Sequence, residues 1–148
     1  MRTGKVKVLV IEDNPGDTYL IRAGLALGEI PKDLAFVGDG EAALEYLACR
    51  GRYGDAARPD LIILDLNLPK IDGRAVLETI KHSPQLRHIP VVVLSTSTSD
   101  RDIESSYDNH ANCYLSKPAD LDKYLDVVSA IESFWLQCVA LPPLSSIR

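Results

Sequence analysis

The chain has no cysteine pair. Cys49, Cys113 and Cys138 are odd in number, and none lies near enough to another in sequence to form a chelating or redox couple. This argues against a disulfide framework, and the thiols are expected to be buried and reduced in a cytoplasmic protein. Positive charge is scarce as well: 16 Lys and Arg stand against 21 Asp and Glu, for a net charge of −5. With no basic cluster beyond a few residues, a nucleic-acid footprint is not expected. The opening "MRTGKVKVLVIED" has one short apolar run that ends in two acids, so it is neither a signal peptide nor a membrane span. No low-complexity tract or internal repeat occurs. No glycine-rich phosphate loop follows the first apolar run, where the chain reads "EDNPGD", which argues against a flavodoxin-like nucleotide or flavin module. His82, His88 and His110 are scattered among polar neighbours, and no metal ligand is assigned to them.

What is present is one domain's worth of chain, 148 residues with 46% hydrophobic content. Five short apolar runs, Val6–Ile11, Leu34–Val37, Leu61–Leu64, Val91–Leu94 and Cys113–Leu115, alternate with amphipathic stretches. The first stretch has Asn14 as a helix cap, Pro15 at the first helical position and Gly28 near its end. Further helices are predicted over Gly40–Cys49, Gly73–Lys81, the mostly polar Asp100–Asn109, and the long Leu121–Cys138. This alternation predicts an α/β fold: a doubly wound, five-stranded parallel sheet of flavodoxin-like order 2-1-3-4-5. The near-continuous apolar character of the third and fourth runs suits central strands covered on both faces.

The stretch "PDLIILDLNLP" carries Asp65 out of an aliphatic strand and then stops. A buried, unpaired carboxylate costs several kcal/mol, so Asp65 must reach water or meet compensating charge. The other polar residues at strand ends are Glu12 and Asp13 after the first run, Ser95 and Thr96 at the fourth, and Lys117 at the fifth. All stand at carboxyl ends, the edge where open α/β sheets bind ligands. With strands one and three adjacent, Glu12, Asp13 and Asp65 converge in one crevice. Three acids against one lysine call for a hard dication, and carboxylate and carbonyl oxygens with water describe a magnesium (Mg2+) site. A carboxylate beside a metal, a lysine and a hydroxyl suits a nucleophile that attacks a phosphoryl group.

The motifs "VLVIEDN", "DLIILDLNLPKIDG", "PVVVLSTS" and "CYLSKP" resemble those of response-regulator receiver domains across nearly the whole chain. The resemblance implies that Asp65 is the phosphoacceptor, and that Glu12, Asp13, Asp65 and the backbone carbonyl of Asn67 hold Mg2+. It also implies that Ser95 and Lys117 contact the phosphoryl group. Ser95 stands where threonine is commoner, with the hydroxyl retained. Tyr114 matches the switch aromatic that works with Ser95, and Lys117–Pro118 matches a peptide bond usually cis in the family. The wording "RPDLIILDLNLPKIDGRAVL", "SYDNHANCYLSKPADLD" and "IESFWL" is similar to the small response regulators paired with bacterial and cyanobacterial phytochromes. That likeness implies a phosphoryl donor on a light-sensing histidine kinase.

Residues 1–138 are therefore expected to form the receiver domain, and 139–148 a short tail without an output module. Output then has to be a protein surface altered by phosphorylation. The fifth helix has one apolar stripe, Leu121, Leu125, Val128, Ile131 and Trp135, and a second made by Val127, Phe134 and Cys138. One stripe buries on the sheet, and the other is expected to serve a two-fold homodimer, with Val127, Phe134, Trp135 and Cys138 at the interface. Two rivals remain. A dehalogenase-type phosphatase wants an acid two residues after its nucleophile, where this chain has Asn67. A pseudo-receiver that only docks would not need the full set of acids, hydroxyl and lysine.

Overall fold

The computed structural model describes residues 4–143. Five strands, β1 (Val6–Ile11), β2 (Lys32–Val37), β3 (Leu61–Leu64), β4 (Val91–Ser95) and β5 (Cys113–Ser116), form one sheet. All pairings are parallel and the order is β2-β1-β3-β4-β5, as predicted. Helices α1 (Pro15–Ala26), α2 (Gly40–Leu47), α3 (Gly73–His82), α4 (Asp100–Asp108) and α5 (Leu121–Ile131) follow the strands in turn. Each begins at a short polar cap, Asn14, Asp39, Asp72, Ser99 or Asp120, whose side chain accepts a first-turn N–H.

Successive strand residues point to opposite faces, and here both faces are apolar. Leu9, Ile11, Ile62, Leu64, Val91 and Val93 meet α2 and α3 residues such as Leu47, Val76, Leu77 and Ile80. Val8, Val10, Ile63, Val92 and Leu94 meet Ile21 and Leu25 of α1 and Tyr124, Val128 and Ile131 of α5. Helix α4 buries only Ser106, which explains its polar sequence.

The C-terminal helix departs from expectation. After Ile131 the chain widens into a π-helical segment, Glu132–Cys138, marked by the Val139 N–H bond to the Phe134 carbonyl at 2.9 Å. The wider turn rotates the apolar stripe by one residue. Leu136 is therefore buried where Trp135 was expected, and Trp135 is only half-buried. At the other end Leu121 is 57% exposed and Tyr124 takes its place in the core. Glu132 is buried against Lys32 at 3.1 Å. A Cβ at Gly28 would run into the Glu132 side chain, so this glycine serves close approach at the end of α1.

Two further expectations are corrected. The Lys117–Pro118 bond is not cis, as no cis peptide occurs among the described residues. Trans is the favoured X–Pro isomer by about 0.5–1 kcal/mol, and with it the Lys117 N–H still bonds the Ser95 carbonyl at 2.7 Å. The thiols are not all buried: Cys49 and Cys113 are half-buried and Cys138 is exposed, because it lies on the outward side of the π-helical segment. All three are free.

Candidate functional site

Sheet register builds the site. Ile11 pairs with Leu64 and Leu64 with Val93, so Glu12 and Asp65 leave the sheet side by side. The Asp65 N–H bonds the Ile11 carbonyl at 3.0 Å, and the Glu12 N–H bonds the Val37 carbonyl at 3.0 Å. Beneath them, a Cβ at Gly73 would overlap the Asp65 carbonyl, so α3 can start against the strand end only with glycine there. The Gly73 N–H bonds the Leu66 carbonyl at 2.9 Å and closes the "DLNLPKID" loop.

Glu12 and Asp65 are buried, at 5% and 6% exposure, while Asp13 is exposed. One carboxylate oxygen from each lies within 4.8 Å of the others. Hard oxygen donors at this spacing, with one acid open to solvent for additional water ligands, fit a magnesium-type dication. Asn67, also exposed, follows two residues after Asp65, and its N–H reaches Asp65 Oδ1 at 3.4 Å.

Lys117 is buried among the acids. Its side chain is 4% exposed, and Nζ donates to Glu12 Oε1 at 2.6 Å, Asp17 Oδ2 at 2.8 Å and Asp65 Oδ2 at 3.2 Å. Burial works against the Lys117 charge, but the hydrogen bonds to Asp17 and Glu12 outweigh it and hold the pKa above the usual lysine range. Burial pushes Glu12 up to about 7, against the downward pull of the Lys117 and Asn14 hydrogen bonds. Three acids thus hold one cation and Asp13 adds a fourth carboxylate to the cluster, which leaves acidic groups for a dication to offset.

Ser95 is fully buried at the end of β4, and its Oγ accepts the Ser97 N–H at 3.3 Å. The hydroxyl of Tyr114, which is half-buried, donates to the Ser97 carbonyl at 2.9 Å, so β5 is tied to the loop that Ser95 begins. The same loop is held from α4 by the 2.6 Å bond of Ser97 Oγ to Asp102, which in turn pairs with Arg74 of α3 at 2.9 Å. Sequence reasoning missed Asp17, Tyr124 and the Arg74–Asp102 pair. Asp17 was hidden as an ordinary first-turn helix acid. Tyr124, on α5, has a hydroxyl buried beside the acids, and no sequence pattern marks it.

The far face of α5 behaves differently. Phe134 is 56% exposed, Val127 is half-buried, and Phe134 and Trp135 stack edge-to-face with centroids 5.3 Å apart. An apolar groove of about 530 Å³ lies between β5 and this segment, lined by Cys113, Leu115, Ile131, Phe134 and Trp135. Among the described residues no helix is long and apolar enough to cross a membrane.

Comparison with known proteins agrees with this geometry. The chain is 47% identical over 135 residues to the response regulator Rcp1 of Synechocystis sp., covering 91% of this chain and 92% of that protein. The crystal structure of a phosphorylated cyanobacterial phytochrome response regulator, RcpA, superposes with a TM-score of 0.91 at 50% identity, over 94% of this chain and 99% of that one. The Mn2+-bound form of Rcp1 also gives a TM-score of 0.91, at 46% identity over 93% and 99% of the two chains. Residues 8–129 match the response regulator receiver domain, and the chain belongs to that family.

Proposed function

We propose that this chain is a single-domain response regulator of a two-component phosphorelay, with Asp65 as the acceptor. The carrying observation is the placement of Asp65 within 3.2 Å of a buried lysine and inside a three-carboxylate cluster. An Asp65 carboxylate oxygen attacks phosphorus, the bond from phosphorus to the kinase histidine breaks, and the imidazole leaves. Glu12, Asp13, Asp65 and the Asn67 carbonyl would hold Mg2+, which when bound offsets charge on the phosphoryl oxygens. Lys117 supplies a fixed ammonium to the same oxygens, and the Ser95 hydroxyl donates to one of them. The chain is an acceptor that assists its own phosphorylation and dephosphorylation, not a turnover enzyme.

Phosphorylation adds a charge of roughly −1.5 to −2 at a buried strand end. Ser95 moves toward it, and the loop through Ser97 carries Tyr114 along, because the Tyr114 hydroxyl is bonded to that loop. The face made by α4, β5 and α5 then changes, a local charge event that biases a two-state element. That face, with Val127, Phe134, Trp135 and Cys138, forms a two-fold homodimer. Likeness to RcpA and Rcp1 supports a phytochrome-type, light-sensing histidine kinase as the partner. The receiver spans residues 1–138, 139–148 are a tail whose residues 144–148 fall outside those described, and the protein acts in the cytoplasm.

Incubation with magnesium and acetyl phosphate, followed by intact-mass measurement, tests the central reading. Wild type gains one phosphoryl group and Asp65→Asn gains none. Equal labelling of both would remove Asp65 from its role.

A further inference from the structure

Phosphoryl transfer leaves two groups at this site without a task. Asp17, from the first turn of α1, accepts from Lys117 Nζ at 2.8 Å, a shorter bond than the 3.2 Å to Asp65. Tyr124, from α5, is 3% exposed, and its hydroxyl is buried beside Asp17 without a well-formed hydrogen bond among the described residues. That hydroxyl sits among the acids: burial first, and then the charges of Asp17 and Glu12, hold its ionisation above the ordinary tyrosine range.

The ordinary reading of Asp17 is an acid that complements the N-terminus of α1. Asn14 already caps that helix, however, by accepting the Asp17 N–H at 3.0 Å. Helix complementation explains neither a bond to a lysine 100 positions away nor a buried tyrosine hydroxyl beside the same carboxylate. A buried hydroxyl left unpaired is costly, whereas one that donates to a carboxylate is among the stronger hydrogen bonds.

Lys117 has three N–H donors, and all are committed, to Glu12, Asp17 and Asp65. Two of those acceptors belong to the carboxylate cluster suited to a cation, and one of the two becomes the phosphorylated group. Asp17 stands outside that cluster. It is the acceptor whose hold on the ammonium survives changes at the other two.

We propose that Asp17 is a positioning residue that keeps the Lys117 ammonium over Asp65, and that the Tyr124 hydroxyl closes onto Asp17 and fixes it. The α1–α5 helix pair is thereby joined to the phosphoryl-transfer site. This rests on the reading of Asp65 as phosphoacceptor.

Wild type, Asp17→Asn, Asp17→Glu and Tyr124→Phe are compared by phosphorylation rate against acetyl phosphate concentration at saturating magnesium. Misplacing a reacting group by an ångström costs up to about 100-fold, so Asp17→Asn is expected to lose roughly 10- to 100-fold in the saturating rate. Loss of one negative charge alone would instead favour the anionic donor, so a slower rate separates positioning from simple electrostatics. Asp17→Glu recovers part of the loss, and Tyr124→Phe shows a smaller decrease in the same direction. Independently, and without metal or donor, the Lys117 ammonium gives a solvent-protected resonance in nitrogen-15 spectra of wild type that disappears in Asp17→Asn. A wild-type rate together with a retained resonance in Asp17→Asn overturns the proposal. If Asp17→Asn does not fold, Tyr124→Phe decides: an unchanged rate and an unchanged Lys117 resonance overturn it. A wild type that takes no phosphoryl group defeats the reading of Asp65 instead, and the resonance still tests the hold of Asp17 on Lys117.

Discussion

A carboxylate with 5% exposure, such as Glu12, has its charge set by its neighbours more than by water. In the folded chain it takes up a proton near pH 7, against an ordinary value of 4.5. Between those values the native state binds the extra proton, so this group's contribution to stability is greatest at low pH and is lost as pH rises through about 7. In the proposed magnesium site the dependence runs in the opposite sense, because the proton would compete for the same oxygens. Magnesium affinity measured by calorimetry is expected to be about ten-fold weaker at pH 6 than at pH 8, and a flat profile would show that Glu12 is not a ligand. Ser95→Ala should leave Asp65 able to take a phosphoryl group while the amide shifts on α4, β5 and α5 no longer follow. Persistence of those shifts would remove Ser95 from the relay. Glu12, Asp13, Asp65, Ser95 and Lys117 were legible in the sequence because each is a polar residue that ends an apolar run. Asp17 and Tyr124 were not, because a first-turn acid and an aromatic on a helix each have a commoner explanation that fits the local pattern.

At the scale of elements, the strands followed the sequence closely. β1 and β3 have the bounds predicted from their apolar runs, since every position of β3 and every position of β1 but Lys7 is apolar and buried, which leaves the ends sharp. β2 begins two residues earlier than predicted, at Lys32, because an edge strand tolerates the polar Lys32 and Asp33. The end of α5 was misread for a physical reason: helical periodicity assumes a constant turn, and a π-helical turn breaks that assumption. The consequence can be tested. Leu136→Ala should destabilise the fold by about 2–4 kcal/mol in urea unfolding, within the range for truncating a buried leucine. Phe134→Ala, at an exposed position, should cost far less. Equal costs would contradict the register of the π-helical segment.

For the whole molecule, the question is what covers the outward face of β5 and α5. Exposed Phe134 beside half-buried Trp135 and an apolar groove is more apolar surface than a solitary helix face needs. The proposed dimer should sediment as such at micromolar concentration, and Phe134→Asp should shift it to monomer while leaving Asp65 phosphorylation intact. A wild type that is monomeric both with and without phosphorylation would rule the dimer out.

Alternating apolar runs and helical stretches were enough to specify the parallel sheet, its order and the edge where chemistry gathers, because burial of strands on both faces and right-handed crossovers leave few other arrangements. The tertiary structure alone decided which charges meet. Lys117 bonds Asp17 across 100 positions, Glu132 beyond α5 meets Lys32 of β2, and Tyr124 reaches the acids from α5. Local sequence pattern reports how a residue sits on its own element. Electrostatic partnership depends on distances between elements, and those exist only once the layers have packed.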